Sequence, residues 1–267
     1  MSAATTLRFK VESVAVWAPT LPGGMIARAA FRGESKPVDP PAKRPAPEIL
    51  PAAERRRAPD SVAIALQVAS DAVRDAGRDP AQLPAIFTSA HGDLSVNDYM
   101  CSTLATAPKA ISPTRFHNSV HNAPSGYWSI ATGSQKSADS LAAFDASFGA
   151  GMMEALSRLA ADPDEPVLLI AYDAPYPEPL NATRPIPDAF AVALALSSPQ
   201  RSRRGATITL EPGGTSIDVL DDSQLEDLRR GIPAARSLPL LRLLALEAAG
   251  RATLDYLEGL PLTVRCS

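Results

Sequence analysis

The sequence has few cysteines and no long apolar run. Its two cysteines, Cys101 and Cys266, are far apart and lack the paired spacing of metal ligands, so neither a disulfide framework nor a zinc module is expected. The amino terminus has no apolar signal core, and no later stretch reaches the roughly 18 apolar residues that a membrane span needs. We therefore expect a protein of the reducing cytoplasm with no membrane span.

The chain also lacks an excess of positive charge. Its formal net charge is −3 and its pI is near 5.7, whereas a dedicated nucleic-acid binder usually has a high pI and a basic face. We expect no nucleic-acid partner, no cofactor and no metal. Proline, by contrast, is abundant at 26 of 267 residues, which is nearly twice the usual frequency of about 5%. Many long, rigid loops should follow.

Apolar and β-branched runs predict the strands of a central sheet. Helical spacing lies between the first four runs, most clearly over 60–76 and 146–161, and strands separated by helices form βαβ units. We therefore predict an α/β fold with a five-stranded mixed sheet and helices on both faces. The five strands are predicted at 8–18, 85–91, 139–144, 166–174 and 190–198.

The remaining segments predict a loop and a carboxy-terminal addition. Residues 33–59 contain so many prolines that an extended surface loop is expected. We predict a main unit over 1–212, which ends with a strand at 206–212, and a short α/β appendage over 213–267 that packs on the same domain. Within 213–267 the pattern predicts helices at 222–230 and 239–257 and a closing strand at 260–266.

The stretch SLAAFDASFGAGMMEAL, residues 140–156, predicts a strand, a tight turn and a helix start. The turn consists of Phe144, Asp145, Ala146 and Ser147. A helix amino terminus favours negative charge, so a cysteine in the turn would be a good nucleophile, whereas a carboxylate is a poor acyl carrier in water. From local sequence alone, Asp145 is also compatible with an ordinary helix N-cap.

Several segments, in this order, resemble the amino-terminal half of β-ketoacyl synthases, a thiolase-like family. The resemblance covers roughly 8–212. It rests on LPAAERRRAPDSVAIALQVASDAVRDAG, AIFTSAHGD, FHNSVHNAPSGYWSIATG, AAFDASFGAGMMEAL and VLLIAYDAP. In that family the turn resembles A-C-A-S-G, with the cysteine as the acyl-accepting nucleophile, and Asp145 stands in its place.

The resemblance implies a chain without the chemistry of the family. Ketosynthases also use two histidines in motifs resembling H-G-T and G-H-T-x-G, and neither motif occurs here, where the only histidines are His91, His117 and His121. A ketosynthase-like chain without nucleophile resembles a chain length factor, and this short chain is most similar to the small chain length factor subunits of bacterial aryl-polyene type II polyketide synthases. That similarity implies a non-catalytic subunit that pairs with an active β-ketoacyl synthase.

His117 and His121 have several possible roles. Two imidazoles four residues apart can bind a metal or act as a general base. The loop-like residues around them, and the missing third ligand, favour a structural hydrogen-bonding role near a subunit contact. Neighbouring residues are candidates for that contact or for the wall of an acyl tunnel, with the chain's own core as the alternative: Asn122, Tyr127, Trp128, Ile130, Phe144, Phe148, Met152 and Met153.

Arg55, Arg56 and Arg57 are candidates for a weak contact with an acidic acyl carrier protein, because complementary charge speeds encounter. A solvated charge run is the alternative. Two other functions stay open at this point. One is a stand-alone malonyl-thioester decarboxylase or acyl-thioester hydrolase that uses Asp145 with a histidine. The other is a homodimeric protein that binds an acyl chain.

Overall fold

The computed structural model describes residues 6–214 and 216–267. Its strands are β1 Leu7–Ala18, β2 Leu21–Pro22, β3 Ala85–Thr88, β4 Ala138–Leu141, β5 Val167–Asp173, β6 Phe190–Ser197, β7 Ala206–Pro212, β8 Gly250–Leu257 and β9 Leu260–Cys266. Its helices are α1 Gly24–Phe31, α2 Ala52–Arg57, α3 Asp60–Ala76, α4 Leu94–Thr106, α5 Pro113–His117, α6 Ala123–Thr132, α7 Ser147–Ala161, α8 Leu180–Thr183, α9 Ser223–Gly231 and α10 Leu238–Ala245.

All the strands belong to one mixed sheet with the order β4-β3-β5-β6-β1-β7-β9-β8, and β2 pairs with β1. Strand β3 runs parallel to β4 and β5, and the other pairs are antiparallel. Two apolar cores cover the two faces. Helices α3 and α6 fill one core, and helices α1, α7 and α10 fill the other. The predicted α/β fold with helices on both faces is therefore confirmed.

The predicted number of strands is wrong, because the sheet has nine strands among the described residues rather than five. Beyond the five, β7, β8 and β9 continue the sheet past β1; β7 and β9 match the strands predicted at 206–212 and 260–266, whereas β2 and β8 were not predicted. The predicted helix over 239–257 is also wrong beyond Ala245. Pairing of Ala252 with Val264 and of Leu254 with Leu262 forms a hairpin that buries these apolar side chains, and Gly259, at φ 72°, allows its turn.

Helical structure also occurs in the segment that was expected to be loop throughout. Helix α2 lies inside 33–59 and begins directly after Pro51, a residue that supplies a backbone conformation compatible with a helix start. The helix predicted over 60–76 is confirmed as α3, and it ends at Gly77 in the left-handed conformation that glycine favours. Among the described residues, no helix is both long and apolar enough to cross a membrane.

The two ends of the sheet differ in how their outer edges are occupied. At one end, Asp218 covers β8: its backbone N–H donates to the carbonyl of Thr253 at 3.1 Å, and its carboxylate accepts from the N–H of Thr253 at 3.0 Å. At the other end, β4 pairs with β3 along one side and is the last strand of the described sheet. The strand that leads to Asp145 is therefore an edge strand.

Candidate functional site

A sharp turn connects the edge strand β4 to helix α7. The strand ends at Leu141, a single 3-10 turn covers Phe144–Ala146, and the helix begins at Ser147. Phe144 has a φ of 53°, which is unusual for a residue with a side chain. The Ser147 hydroxyl fixes the turn, because it accepts the Ala143 N–H at 3.0 Å and donates to the Phe144 carbonyl at 2.7 Å. We call residues 144–147 the elbow.

The Asp145 carboxylate at the elbow is held by two arginines. Oδ1 accepts a hydrogen bond from Arg184 Nη2, and Oδ2 lies 3.2 Å from Arg236 Nη2. The Arg184 guanidinium also lies over the Phe144 ring, with its carbon 3.6 Å from the ring centre. Each carboxylate oxygen thus faces a positive group. This arrangement neutralises the charge of Asp145 and restrains its side chain.

The ion pairs continue away from the elbow through alternating charges. Arg236 Nη1 lies 3.0 Å from Asp255 Oδ1, and Asp255 Oδ2 lies 3.2 Å from Arg229 Nη1. Arg229 then donates two hydrogen bonds to Glu226, at 2.6 and 2.8 Å. The hydrogen bonds between them lower the pKa of Glu226 and raise the pKa of Arg229. We call Arg184, Asp145, Arg236, Asp255, Arg229 and Glu226 the ion-pair chain.

His91, to which the sequence assigned no role, lies beside the elbow. Its ring packs edge-on against Phe144, with centroids 5.6 Å apart, and its Nδ1 is 2.5 Å from the Tyr176 hydroxyl. Burial lowers the pKa of His91, and the positive charge of Arg184 lowers it further. A signal was present in the sequence, because His91 follows β3, and parallel neighbours such as β3 and β4 end at the same edge of a sheet.

The other two histidines have hydrogen-bond partners outside the elbow. His121 Nε2 donates to the Ser89 carbonyl at 3.1 Å, and His117 Nδ1 lies 3.4 Å from Asn118 Oδ1. The His117 ring also packs edge-on against Tyr127. Over the described ranges, no group of three or more His, Cys, Asp or Glu side chains could hold a metal ion. Both rings thus contact other residues of the same chain.

A family model described as β-ketoacyl synthase, N-terminal domain, matches residues 31–232. The chain belongs to the β-ketoacyl synthase family. The match includes the elbow and Arg184 but stops before Arg236 and Asp255. The elbow of this β-ketoacyl synthase homologue is therefore tied to residues that lie beyond the matched region.

Solved structures with the same fold include ketosynthase complexes. A chain of the ketosynthase (ApeO) in complex with its chain length factor (ApeC) from Xenorhabdus doucetiae is 23% identical, with a TM-score of 0.72 and coverage of 97% of this chain and 99% of that chain. A chain of the ishigamide ketosynthase/chain length factor is 12% identical, with a TM-score of 0.72 and the same coverage.

A third similar structure contains a type II polyketide synthase acyl-carrier protein in complex with its ketosynthase, AntDE:AntF. Here the identity is 10%, the TM-score is 0.74, and the alignment covers 98% of this chain and 99% of that chain. No curated protein sequence matches the chain. The likeness to these structures shows that this β-ketoacyl synthase homologue has the thiolase-like fold of ketosynthases and chain length factors.

Several contact and tunnel candidates of this homologue are buried in its own core. Tyr127 and Trp128 on α6 pack with α3, and Phe148 and Met152 on α7 pack in the opposite core. Met153 is partly buried against the same core. Three other candidates are exposed: Phe144 at the elbow, Asn122 before α6, and Ile130, whose exposed fraction is 80%.

The three arginines proposed for carrier-protein contact lie together on the short helix α2. Arg56 and Arg57 are exposed, whereas Arg55 is half-buried. Arg57 lies 3.8 Å from Glu54 of the same helix, so part of its charge is balanced locally.

A buried carboxylate next to the site was also missed from sequence. Asp173 ends β5, and its Oδ1 accepts hydrogen bonds from the Ser89 hydroxyl at 3.0 Å and the Ala90 N–H at 2.9 Å. Its Oδ2 accepts from the Ala234 N–H at 2.8 Å. Burial raises the pKa of Asp173 to about 6, although these hydrogen bonds favour the ionised form. Asp173 thus joins two loops to the end of a central strand.

Proposed function

We propose that the chain is a non-catalytic, chain length factor-like subunit that pairs with an active β-ketoacyl synthase in the cytoplasm. The pathway would be fatty-acid or polyketide biosynthesis, specifically that of aryl polyene pigments. One observation carries the proposal: the residue at the elbow is a carboxylate bound by Arg184 and Arg236, where the family resemblance places an acyl-accepting cysteine.

The chemistry of the elbow supports a subunit without catalysis. Condensation by a ketosynthase begins with acyl transfer to a thiolate, and an ion-paired carboxylate cannot replace this nucleophile. Both carboxylate oxygens of Asp145 are already occupied, Oδ1 by Arg184 and Oδ2 by Arg236. His91, the ring nearest the elbow in the contacts described above, is hydrogen-bonded to Tyr176.

The edge strand and its surroundings support pairing with a second subunit. Strand β4 has an outer side available for hydrogen bonding, and an open edge invites pairing. Exposed apolar side chains occur in the segments just before it, namely Phe116, Val120 and Ile130. Two of the similar structures are ketosynthases with a chain length factor. A β-ketoacyl synthase is thus the partner that we propose.

The partner would supply the cysteine and both histidines, and this chain would stabilise it and shape its acyl tunnel. Phe144 is the tunnel candidate at the elbow that reaches the surface, with an exposed fraction of 52%. A weak contact of Arg55, Arg56 and Arg57 with the acidic carrier protein would bring substrate to the pair. One of the similar structures contains a carrier protein with its ketosynthase.

Co-expression with a candidate β-ketoacyl synthase tests the proposal. We expect the two chains to purify together at a 1:1 ratio, and condensation of malonyl-carrier substrate to require both chains. A well-behaved homodimer that ignores the ketosynthase would favour an acyl-chain binding protein instead. Turnover of malonyl-carrier substrate by the isolated chain, lost in Asp145→Ala, would show that the chain is itself an enzyme.

A further inference from the structure

The carboxy-terminal part of the same chain packs against one side of the elbow. Strand β8 contacts both the elbow turn and helix α7. The approach is close at Gly149, where a Cβ atom would lie 2.7 Å from the carbonyl oxygen of Asp255 and 3.1 Å from Tyr256 Cδ2. The backbone of β8 therefore lies directly on the first turn of α7.

This carboxy-terminal part consists of residues that the family match does not reach. The match ends at residue 232, and the following residues form α10 and the hairpin of β8 and β9. We call residues 233–267 the cover segment. It carries two members of the ion-pair chain, Arg236 and Asp255, and both lie next to the elbow through the contacts of Asp145 and Gly149.

We propose that Asp145 acts as a clasp that fastens the cover segment over the elbow. Its carboxylate bridges Arg184, which comes from the loop after α8, and Arg236, which comes from the cover segment. The inference rests on the contacts within this chain and does not depend on the proposed function.

The charges explain why a carboxylate is needed at this position. Arg236 is largely buried, with a side-chain exposed fraction of 19%, and it lies between two carboxylates, Asp145 and Asp255. Without Asp145, Arg236 would keep one anionic partner and Arg184 would lose its ion pair. A neutral thiol at residue 145 could not balance either guanidinium, and a buried charge that loses its partner is costly.

Hydrogen exchange of β8 in the full-length chain tests the clasp, with the chain in complex if it purifies as one. We expect amides of residues 250–257 to exchange about tenfold faster, or more, in Asp145→Cys and Asp145→Asn than in the unaltered chain, because the cover segment opens more often. Asp164→Asn is the matched control. It removes an exposed ion pair with Arg201, and β8 should then exchange at the unaltered rate.

A chemical rescue tests the role of the Asp145 carboxylate in a second way. In Asp145→Ala, added formate should restore slow exchange of β8, because a small carboxylate can enter between Arg184 and Arg236, whereas chloride at equal ionic strength should not. If Asp145→Ala does not fold, Asp145→Asn takes its place in the exchange measurement. The clasp is overturned if the exchange of β8 is unchanged in Asp145→Asn, or equally fast in Asp164→Asn.

Discussion

The carboxylate of Asp173 accepts a hydrogen bond from the backbone N–H of Ala234, with 2.8 Å between oxygen and nitrogen. Asp173 is fully buried at the end of a central strand, and Ala234 lies at the start of the cover segment. This bond joins the part of the chain that matches the family to the part that does not, as the contact of Asp145 with Arg236 also does. Asp173 is also an ionisable group inside the core.

The first prediction concerns the pH dependence of stability. The pKa of Asp173 rises from 3.8 in the unfolded chain to about 6 in the folded chain, because burial disfavours the charge. At a pH between these two pKa values, Asp173 is protonated in the folded chain and ionised in the unfolded chain. The contribution of Asp173 to the free energy of unfolding therefore falls as pH rises from 4 to 6, by about 3 kcal/mol in total.

Denaturation by urea at several pH values, for the unaltered chain and for Asp173→Asn, measures this contribution. The asparagine side chain has one acceptor oxygen and one donor nitrogen, so it leaves one of the two backbone N–H groups unsatisfied and costs about 1–3 kcal/mol. The stability advantage of the unaltered chain over the variant should shrink as pH rises towards 6. Asp164→Asn should follow the unaltered curve, and parallel curves for Asp173→Asn would refute the assignment.

The second prediction concerns the contact between helix α7 and strand β8. Gly149→Ala should lower the free energy of unfolding by about 1–3 kcal/mol, because its Cβ would collide with the Asp255 carbonyl. Gly126→Ala on helix α6 is the control, since a Cβ there has nothing within 4 Å. It should stabilise the chain by about 0.5–1 kcal/mol. Equal effects of the two changes in thermal unfolding would contradict the close approach of β8.

The third prediction concerns a buried ion pair far from the elbow. The Glu12 side chain has an exposed fraction of 1%, and Arg78 donates two hydrogen bonds to it, at 2.9 and 2.6 Å. Burial opposes ionisation of Glu12, but the hydrogen bond from Arg78 and further side-chain hydrogen bonds together outweigh it and hold the pKa of Glu12 below its usual value. Arg78→Met should cost about 3–5 kcal/mol, because it leaves a buried carboxylate without its partner.

Arg74→Met provides the comparison for this pair. The Arg74 side chain is largely exposed and pairs with Asp71 on helix α3, so its loss should cost about 1 kcal/mol or less. Replacing both partners of the buried pair, as in Glu12→Leu with Arg78→Met, should recover part of the loss. A denaturation series in which Arg78→Met and Arg74→Met behave alike would show that Glu12 is not held as described.

The fourth prediction concerns the surface that would face a partner. Ile130→Arg places a charge on helix α6, which packs beside the edge strand β4. It should weaken the complex with a β-ketoacyl synthase by at least about tenfold in Kd, while the Tm of the isolated chain stays the same. Met25→Arg changes an even more exposed apolar residue on helix α1, and binding should survive it. Loss of binding in both variants would point to a general effect of charge.

The sequence predicted the strands and helices whose apolar pattern is clear within their own residues. Strands β1, β5 and β6 and helices α3 and α7 follow from long apolar or helical periods, and the order of the motifs indicated the family. Helix α2 was missed because the prolines around it favoured a loop. Strand β8 was missed because its residues were included in the helix predicted over 239–257. Its strand conformation depends on pairing with β9, which the local sequence does not show.

The candidate site was predictable in position but not in its contacts. Asp145 was placed at a turn between a strand and a helix, and the structure has such a turn there. Its partners Arg184 and Arg236 are distant in sequence, and nothing in their own neighbourhood indicates that they meet. The family resemblance could not supply Arg236 either, because that residue lies beyond the matched region.

Asp218 has a consequence for how many molecules can associate. By engaging both backbone groups of Thr253, it takes away hydrogen-bonding positions on the outer side of β8. Further strands can then be added beyond β4 but not at that point of β8, so a sheet that grows by joining neighbours is completed after one addition. Association that adds strands only at β4 would therefore give a pair rather than an open-ended filament.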